Sequence, residues 1–275
     1  MQKSYSYLVL LGKRLLLALL IFSLCRILFY LLNIKYFPHA GVLDFLSGIV
    51  FDICAISMYF VPFILVSLLF FLVPKWKFYH FINNFLFHVS MVLCICMNAL
   101  DFEFFKFTSK RSTADFFTMM SYGNDASNLI PSMLKKYWFI ALIGISIIVL
   151  SFYLYRRTKK HQASLGSPGI LKGIIYFILS GGLVFMGARM SFGIKPLNLN
   201  HASKYANPEN IPLVINTPFS MIKTINEKGL PNETYFEPDE LVRYYNPIQE
   251  INGIDTLGTK PNIIVFLMES LSNEY

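Results

Sequence analysis

The stretch LLLALLIFSLCRILFYLL, residues 15–32, decides the fold class of this chain. Its only charged residue is Arg26, and its length approaches the ~20 residues that a helix needs to cross a bilayer. The run does not alternate between apolar and polar residues, and a segment inside lipid must satisfy its own backbone hydrogen bonds. It therefore predicts a membrane-spanning helix.

The rest of the composition repeats this pattern. Of the 275 residues, 55% are hydrophobic and 15% charged, which leaves too little polar surface for a soluble domain of this size. Similar apolar blocks cover residues 51–73 (with a lead-in from Leu43), 78–99, 137–155 and 170–190. We expect five transmembrane helices over residues 1–190, with a kink at Pro62. Asn83 and Asn84, with His80 and His88, are expected to make interhelical hydrogen bonds.

The positive charge indicates membrane topology rather than nucleic-acid binding. The net charge is +8, but the basic residues form short clusters between apolar blocks, and no nucleic-acid-binding module is present. Clusters precede the first span, separate the second from the third, and separate the fourth from the fifth. By the positive-inside rule the N-terminus is cytoplasmic, and everything after Met190 lies outside. The cysteines, Cys25, Cys54, Cys94 and Cys96, all lie in apolar blocks, so neither disulfides nor a zinc site is expected.

The composition changes after the fifth block. Residues 191–259 are polar and rich in Asn and Pro, which predicts an extracytoplasmic linker. A short helix is expected from Pro218 to Lys228, with Thr217 as its N-cap and an apolar face for the membrane or for a following domain. In residues 260–275, the run Ile263 to Met268 is apolar without alternation, as in a parallel strand covered on both faces. Glu269 follows at its carboxyl end, where ligands of such sheets gather.

Several of these stretches resemble one protein family. They are KPNIIVFLMESLSNEY (260–275), Gly48 with Phe51 and Asp52, NALDFEFFKFTSKRSTADFF (98–117) and NTPFSMIKT (216–224). Together they are similar to bacterial members of the lipoteichoic acid synthase family, in the alkaline phosphatase and sulfatase superfamily. The resemblance implies five membrane helices, a linker, and the first strand of a truncated α/β catalytic domain in residues 260–275. It also implies a multi-pass protein of the bacterial cell membrane.

The resemblance further implies a metal-dependent phosphotransferase that uses a membrane glycerophospholipid headgroup. Glu269 would be one ligand of a divalent metal, which is manganese or magnesium, with zinc as a third option. The family's nucleophile belongs to a later motif, so Ser270 and Ser272 are not assigned that role. We therefore expect no catalytic residue, no bound metal and no activity in residues 1–275 alone.

Five other charged residues are candidates for a role at the membrane. Arg26 and Asp52 form either a charge pair lining a lipid or glycan path, or two interfacial charges that snorkel. If residues 101–117 form a helix in the outer interface, Lys106, Lys110 and Arg111 could bind an anionic phospholipid headgroup. Ordinary interfacial anchoring is the alternative for these three.

Three other functions remain open at this point. A lipid A phosphoethanolamine transferase or a sulfatase-like hydrolase would share the superfamily fold. A non-enzymatic membrane scaffold or transporter subunit would share only the five spans. The oligomeric state is open in each case.

Overall fold

The computed structural model describes residues 6–69, 77–117, 135–158, 169–191, 195–226, 244–245 and 264–265. Within these ranges the chain is helical and contains no β-strand. The α-helices with described bounds are α1 (Ser6–Leu32), α2 (Val42–Tyr59), α3 (Val61–Leu68), α4 (Lys77–Thr108), α5 (Trp138–Thr158), α6 (Ile170–Arg189), α7 (Ile211–Val214) and α8 (Thr217–Thr224). Short 3-10 helices cover Ile34–Tyr36, Leu199–Lys204 and Pro208–Asn210.

Five of the described helices, α1, α2, α4, α5 and α6, are long and apolar enough to cross a membrane. The five spans expected from the sequence are thus confirmed as helices of the required length and composition. The second block differs in its bounds, since α2 begins at Val42 and breaks at Phe60 before α3 continues. The break falls at the predicted position because Pro62, in the first turn of α3, has no backbone N–H to donate.

The end of α4 corrects the expectation for residues 101–117. These residues do not form a separate interfacial helix, because α4 itself continues to Thr108. Ser109 then adopts a left-handed conformation, with φ of 53°, and its N–H donates to the carbonyl of Phe105 at 2.8 Å. This turn ends the helix, so Lys110 does not lie on the helical face of Glu103 and Lys106.

Helix α1 is at the centre of the bundle and packs against α2, α4 and α5. Aromatic rings fill the core on both sides of it. The ring of Phe29 contacts those of Phe37 and Phe105 at centroid distances of 5.7 and 5.0 Å. Towards the other end, Phe87 of α4 stacks on Tyr155 of α5 at 4.5 Å. Helices α5 and α6 lie at the edge, where many of their aliphatic side chains are exposed.

Polar side chains inside the spans join neighbouring helices. The hydroxyl of Ser67 donates to the side-chain oxygen of Asn83 at 2.8 Å. The hydroxyl of Tyr155 donates to the side-chain oxygen of Asn84 at 2.6 Å. These bonds confirm the interhelical role predicted for both asparagines. His88 of α4 packs flat on Phe152 of α5, with ring centroids 3.8 Å apart.

Residues 195–226 form one compact unit with the helices that precede them. The predicted short helix is present as α8, but it begins at Thr217 and ends at Thr224. Its N-cap is Asn216 rather than Thr217, because the Asn216 side chain accepts the Phe219 N–H at 2.8 Å. Its apolar face is buried against α2 and α4, with Phe219 fully enclosed.

Residues 228–275 form a second unit, in which the structure describes four residues: Tyr244, Tyr245, Ile264 and Val265. All four side chains are exposed. Ile264 and Val265 belong to the predicted strand and are not in a strand here, and its other residues lie outside the described ranges, as do Glu269, Ser270 and Ser272. The strand and the metal ligand therefore stay predictions.

Helix α6 depends on Gly187 for its close approach to α2. A Cβ on Gly187 would lie 2.5 Å from the hydroxyl of Ser57, whereas one on Gly181 would meet nothing within 4 Å. We expect Gly187→Leu to destabilise the purified protein by about 1–3 kcal/mol, because a larger side chain forces α6 away from α2. Thermal unfolding in nanodiscs measures this effect.

Gly181→Leu is the matched control, since it makes the same change on the same helix. Its effect should stay within about 0.5 kcal/mol. Equal melting temperatures for the two variants would show that Gly187 does not set the distance between α6 and α2.

Candidate functional site

A buried ion pair joins α1 to α2. The guanidinium of Arg26 donates through Nη2 to the Asp52 carboxylate at 2.5 Å and to the Gly48 carbonyl at 2.9 Å. Arg26 is 4% exposed and Asp52 is fully buried. A Cβ on Gly48 would lie 2.6 Å from Arg26 Nε, so only glycine leaves room for the guanidinium to lie across α2.

Residues 210–224, which we call the docked segment, supply the remaining acceptors of Arg26. Nη1 donates to the carbonyl of Leu213 and, at 2.5 Å, to that of Val214. A helix leaves its last carbonyls without partners inside the helix, and these two close the one-turn helix α7. Arg26 therefore satisfies carbonyls that would otherwise be buried without a hydrogen bond.

Asp52 binds the start of α8 in a corresponding way. The Asn216 side chain accepts the Phe219 N–H through its oxygen and donates through Nδ2 to Asp52 at 2.8 Å. One amide thus caps α8 and ties the helix to α2. The ring of Phe219 packs edge-on against Phe51 at 5.1 Å, next to Asp52 along the chain.

A second charge pair lies beside the first. Arg111 Nε donates to the Pro212 carbonyl at 2.7 Å, and its Nη1 lies 3.8 Å from the Asp101 carboxylate. The guanidinium also lies 3.4 Å over the ring of Phe29. Burial lowers the pKa of Arg111 to about 10, against the opposing effect of Asp101, so the side chain is positively charged at neutral pH.

The Asp101 carboxylate holds the chain on both sides. It accepts the Ser112 N–H at 3.0 Å and the Ser112 hydroxyl, which folds the segment after α4 back onto that helix. It also accepts the Thr217 hydroxyl at 2.7 Å. Ser220 donates to the Ser112 carbonyl at 2.5 Å, so the same turn contacts the next part of α8.

We call this group the docking cluster: Arg26, Asp52, Asp101, Arg111, Asn216 and Thr217. Its two positive and two negative charges balance. The arginines lie at the carboxyl end of α7 and the aspartates bind the amino end of α8. Each pairing matches the partial charge of that helix end, which is negative at the C-terminus and positive at the N-terminus.

A further contact lies outside the docking cluster at the same end of the bundle. Asn210 donates through Nδ2 to the Asp44 carboxylate at 2.9 Å and to the His39 carbonyl at 3.2 Å. Asp44 also accepts the Gly41 N–H at 2.8 Å, where the chain enters α2. The docked segment is therefore held at two places by buried side chains.

The structure brings three of the charged candidates together and separates the other two from them. Arg26, Asp52 and Arg111 belong to the docking cluster, where neither Arg26 nor Asp52 snorkels to an interface. Lys106 is paired with Glu103 on the same helix. Lys110 is exposed and lies outside the cluster, so of the three predicted headgroup ligands it has the most accessible side chain.

Sequence reasoning missed Asp101, Asn216 and Thr217 as partners of these charges. Two signals could have identified them. Arg26 and Asp52 both lie in apolar surroundings, where a charge needs a partner. The segment IPLVINTP places a short apolar turn directly before polar residues that cap helices, which is unusual for a solvated linker.

The polar groups of the docking cluster bind other parts of the chain. Its guanidinium and carboxylate groups bind backbone and side-chain atoms of the chain itself, and the cluster is closed to solvent. Among the residues that the structure describes, no group of three or more His, Cys, Asp or Glu could hold a metal ion.

The architecture and the docking cluster define a multi-pass α-helical membrane protein with a segment docked at one end of its bundle. Comparison with protein-family models, with curated proteins and with solved structures finds no match.

The charge pair can be tested by a double-mutant cycle. We expect Asp52→Asn to cost about 3–5 kcal/mol, because it leaves the Arg26 charge buried without its partner. The rate of backbone hydrogen exchange in Leu213–Thr224 should also rise in this variant. Adding Arg26→Met removes that uncompensated charge, so the double variant should lose less than the sum of the two single variants. Thermal unfolding and exchange mass spectrometry in nanodiscs measure both effects.

Asp115→Asn makes the same chemical change at an exposed position and serves as the control. It should alter stability by no more than about 0.5 kcal/mol. Unchanged exchange in α8 of the Asp52→Asn protein would mean that the ion pair does not hold the docked segment.

Proposed function

We propose that the chain forms the membrane-embedded part of a lipoteichoic acid synthase-like enzyme. The reaction would transfer a phosphorylated headgroup from a membrane glycerophospholipid at the outer face of the bacterial cell membrane. The support comes from the convergence of three separate stretches. Gly48 to Asp52, residues 98–117 and residues 216–224 each resemble that family, and all three meet in the docking cluster.

This convergence gives the resemblance a physical meaning. Asp52 binds Asn216, Asp101 binds Thr217, and Ser112 binds Ser220, so the stretches contact each other through their polar side chains and backbone. Residues 216–224 come shortly before the second unit of the chain. Fixing them to the bundle fixes the place from which the chain leaves the membrane helices. An enzyme whose substrate is a lipid headgroup gains from such an anchor.

The resemblance also implies a divalent metal. Glu269 is its expected ligand and lies outside the described residues. A bound divalent ion would supply charge stabilisation to the transferring group.

Orientation follows from the charges of the bundle. At the end of the bundle where α1 begins, the described residues include the basic Lys13, Lys77 and Arg157 and no acidic residue. By the positive-inside rule that end faces the cytoplasm, and the docking cluster faces outward.

We expect a cysteine at Lys110 to react with a membrane-impermeant maleimide in intact spheroplasts, because Lys110 is exposed near the docking cluster. In a Cys96→Ser background the remaining native cysteines are buried and should not react. Lys172→Cys, at the start of α6, is the control and should react only after the membrane is opened. The opposite pattern would reverse the orientation and remove the support for an outer active site.

The activity itself is tested with the complete product of the gene in proteoliposomes. We expect manganese-dependent release of diacylglycerol from phosphatidylglycerol with a fluorescent acyl chain, followed by chromatography. EDTA and the substitution Glu269→Gln should each abolish release, because both remove the expected metal site.

Other outcomes identify the competing functions. Transfer from phosphatidylethanolamine alone would indicate a phosphoethanolamine transferase, and cleavage of sulfate esters alone a sulfatase-like hydrolase. Correctly folded protein without any of these activities would favour a scaffold or transporter subunit.

A further inference from the structure

A groove runs between α4 and α5. One face of α4 lines it from Phe81 to Cys96, at spacings of three and four residues, and Phe152 and Arg156 of α5 complete it. This part of α4 is about 22 Å long at 1.5 Å per residue. The groove is open along its length and has a volume of about 760 Å³.

The lining is apolar and opens sideways, where a bilayer would surround it. Phe81, Phe85 and Val89 are exposed along its length. An acyl chain that lies in such a groove gains dispersion contacts that an empty groove lacks. Packing keeps its shape: His88 stacks on Phe152 at 3.8 Å, and the Tyr155 hydroxyl donates to Asn84 at 2.6 Å.

Arg156 lies at one end of the groove, in the last turn of α5. Its side chain is exposed, and within the described part of the chain no hydrogen bond or ion pair engages it. The adjacent Arg157 differs, because its guanidinium donates to the Tyr153 hydroxyl and lies 4.8 Å over that ring. A guanidinium at the level of the lipid headgroups is a ligand for phosphate.

The charges of this end favour an anionic lipid over a zwitterionic one. The described basic residues there are Lys13, Arg14, Lys77, Arg156, Arg157 and Lys172. The acidic residues that the structure describes all lie in the opposite half of the bundle or in its loops: Asp44, Asp52, Asp101, Glu103, Asp115 and Glu209. No described acidic side chain near Arg156 would therefore repel a net negative headgroup.

We propose that this groove binds one anionic phospholipid, with an acyl chain along α4 and the headgroup phosphate on Arg156. The site lies at the opposite end of the bundle from the docking cluster. It is independent of the proposed phosphotransferase, because that reaction would use lipid at the docking-cluster end.

Native mass spectrometry of the purified chain in detergent tests the proposal, with phosphatidylglycerol and phosphatidylcholine added in parallel. Wild-type protein should retain one phosphatidylglycerol in preference to phosphatidylcholine. Arg156→Gln should weaken phosphatidylglycerol binding about fivefold, as expected for the loss of one basic side chain at the headgroup. Arg157→Gln removes the same charge one residue away and should change binding less than twofold.

A second variant tests the acyl chain separately from the charge. Val89→Trp fills the middle of the groove and leaves every arginine in place, so it should also reduce retention of phosphatidylglycerol. Equal losses in the Arg156 and Arg157 variants would overturn the site in favour of diffuse attraction. Equal retention of both lipids would overturn the headgroup assignment, and unchanged binding to Val89→Trp would overturn the groove.

Discussion

The buried guanidinium of Arg26 is the constraint on which the rest of the structure depends. Taking such a charge out of water costs several kcal/mol, and only a full set of acceptors offsets this cost. Gly48, Asp52 and the carbonyls of α7 provide that set. Each acceptor fixes another feature: a glycine where α1 crosses α2, a carboxylate inside α2, and a helix end brought in from residues more than 180 positions later.

The second pair extends this arrangement without adding net charge. Arg111 takes the Pro212 carbonyl, which leaves α7 with its terminal carbonyls satisfied, and Asp101 binds the start of α8 through Thr217. Two short helices that could not persist alone in water are stabilised at their ends by groups from the bundle. The buried helix ends and the buried charges therefore stabilise each other, because a buried guanidinium needs acceptors and a buried helix end needs partners for its free backbone groups.

The spans could be predicted from the sequence because apolar length alone determines them. Helices α5 and α6 lie close to their expected bounds, whereas α1 begins nine residues before the predicted start at Leu15. The docking of residues 210–224 could not be predicted from the sequence, because their composition is that of a linker and their partners are far away in the chain. Arg26 and Asp52 were recognisable as costly charges, but their pairing depends on packing between α1 and α2. Thr217 looked like an N-cap, yet Asn216 takes that role because Asp101 engages the Thr217 hydroxyl.

The depth of the ion pair has a mechanical consequence. Arg26 lies more than one turn before the end of α1, so the segment that reaches it must enter the bundle rather than rest on its surface. Leaving again would take the Leu213 and Val214 carbonyls away from Arg26 and the Asn216 amide away from Asp52 inside an apolar interior. That is more costly than breaking the same contacts at an aqueous interface. Residues 211–224 therefore belong to the membrane bundle energetically.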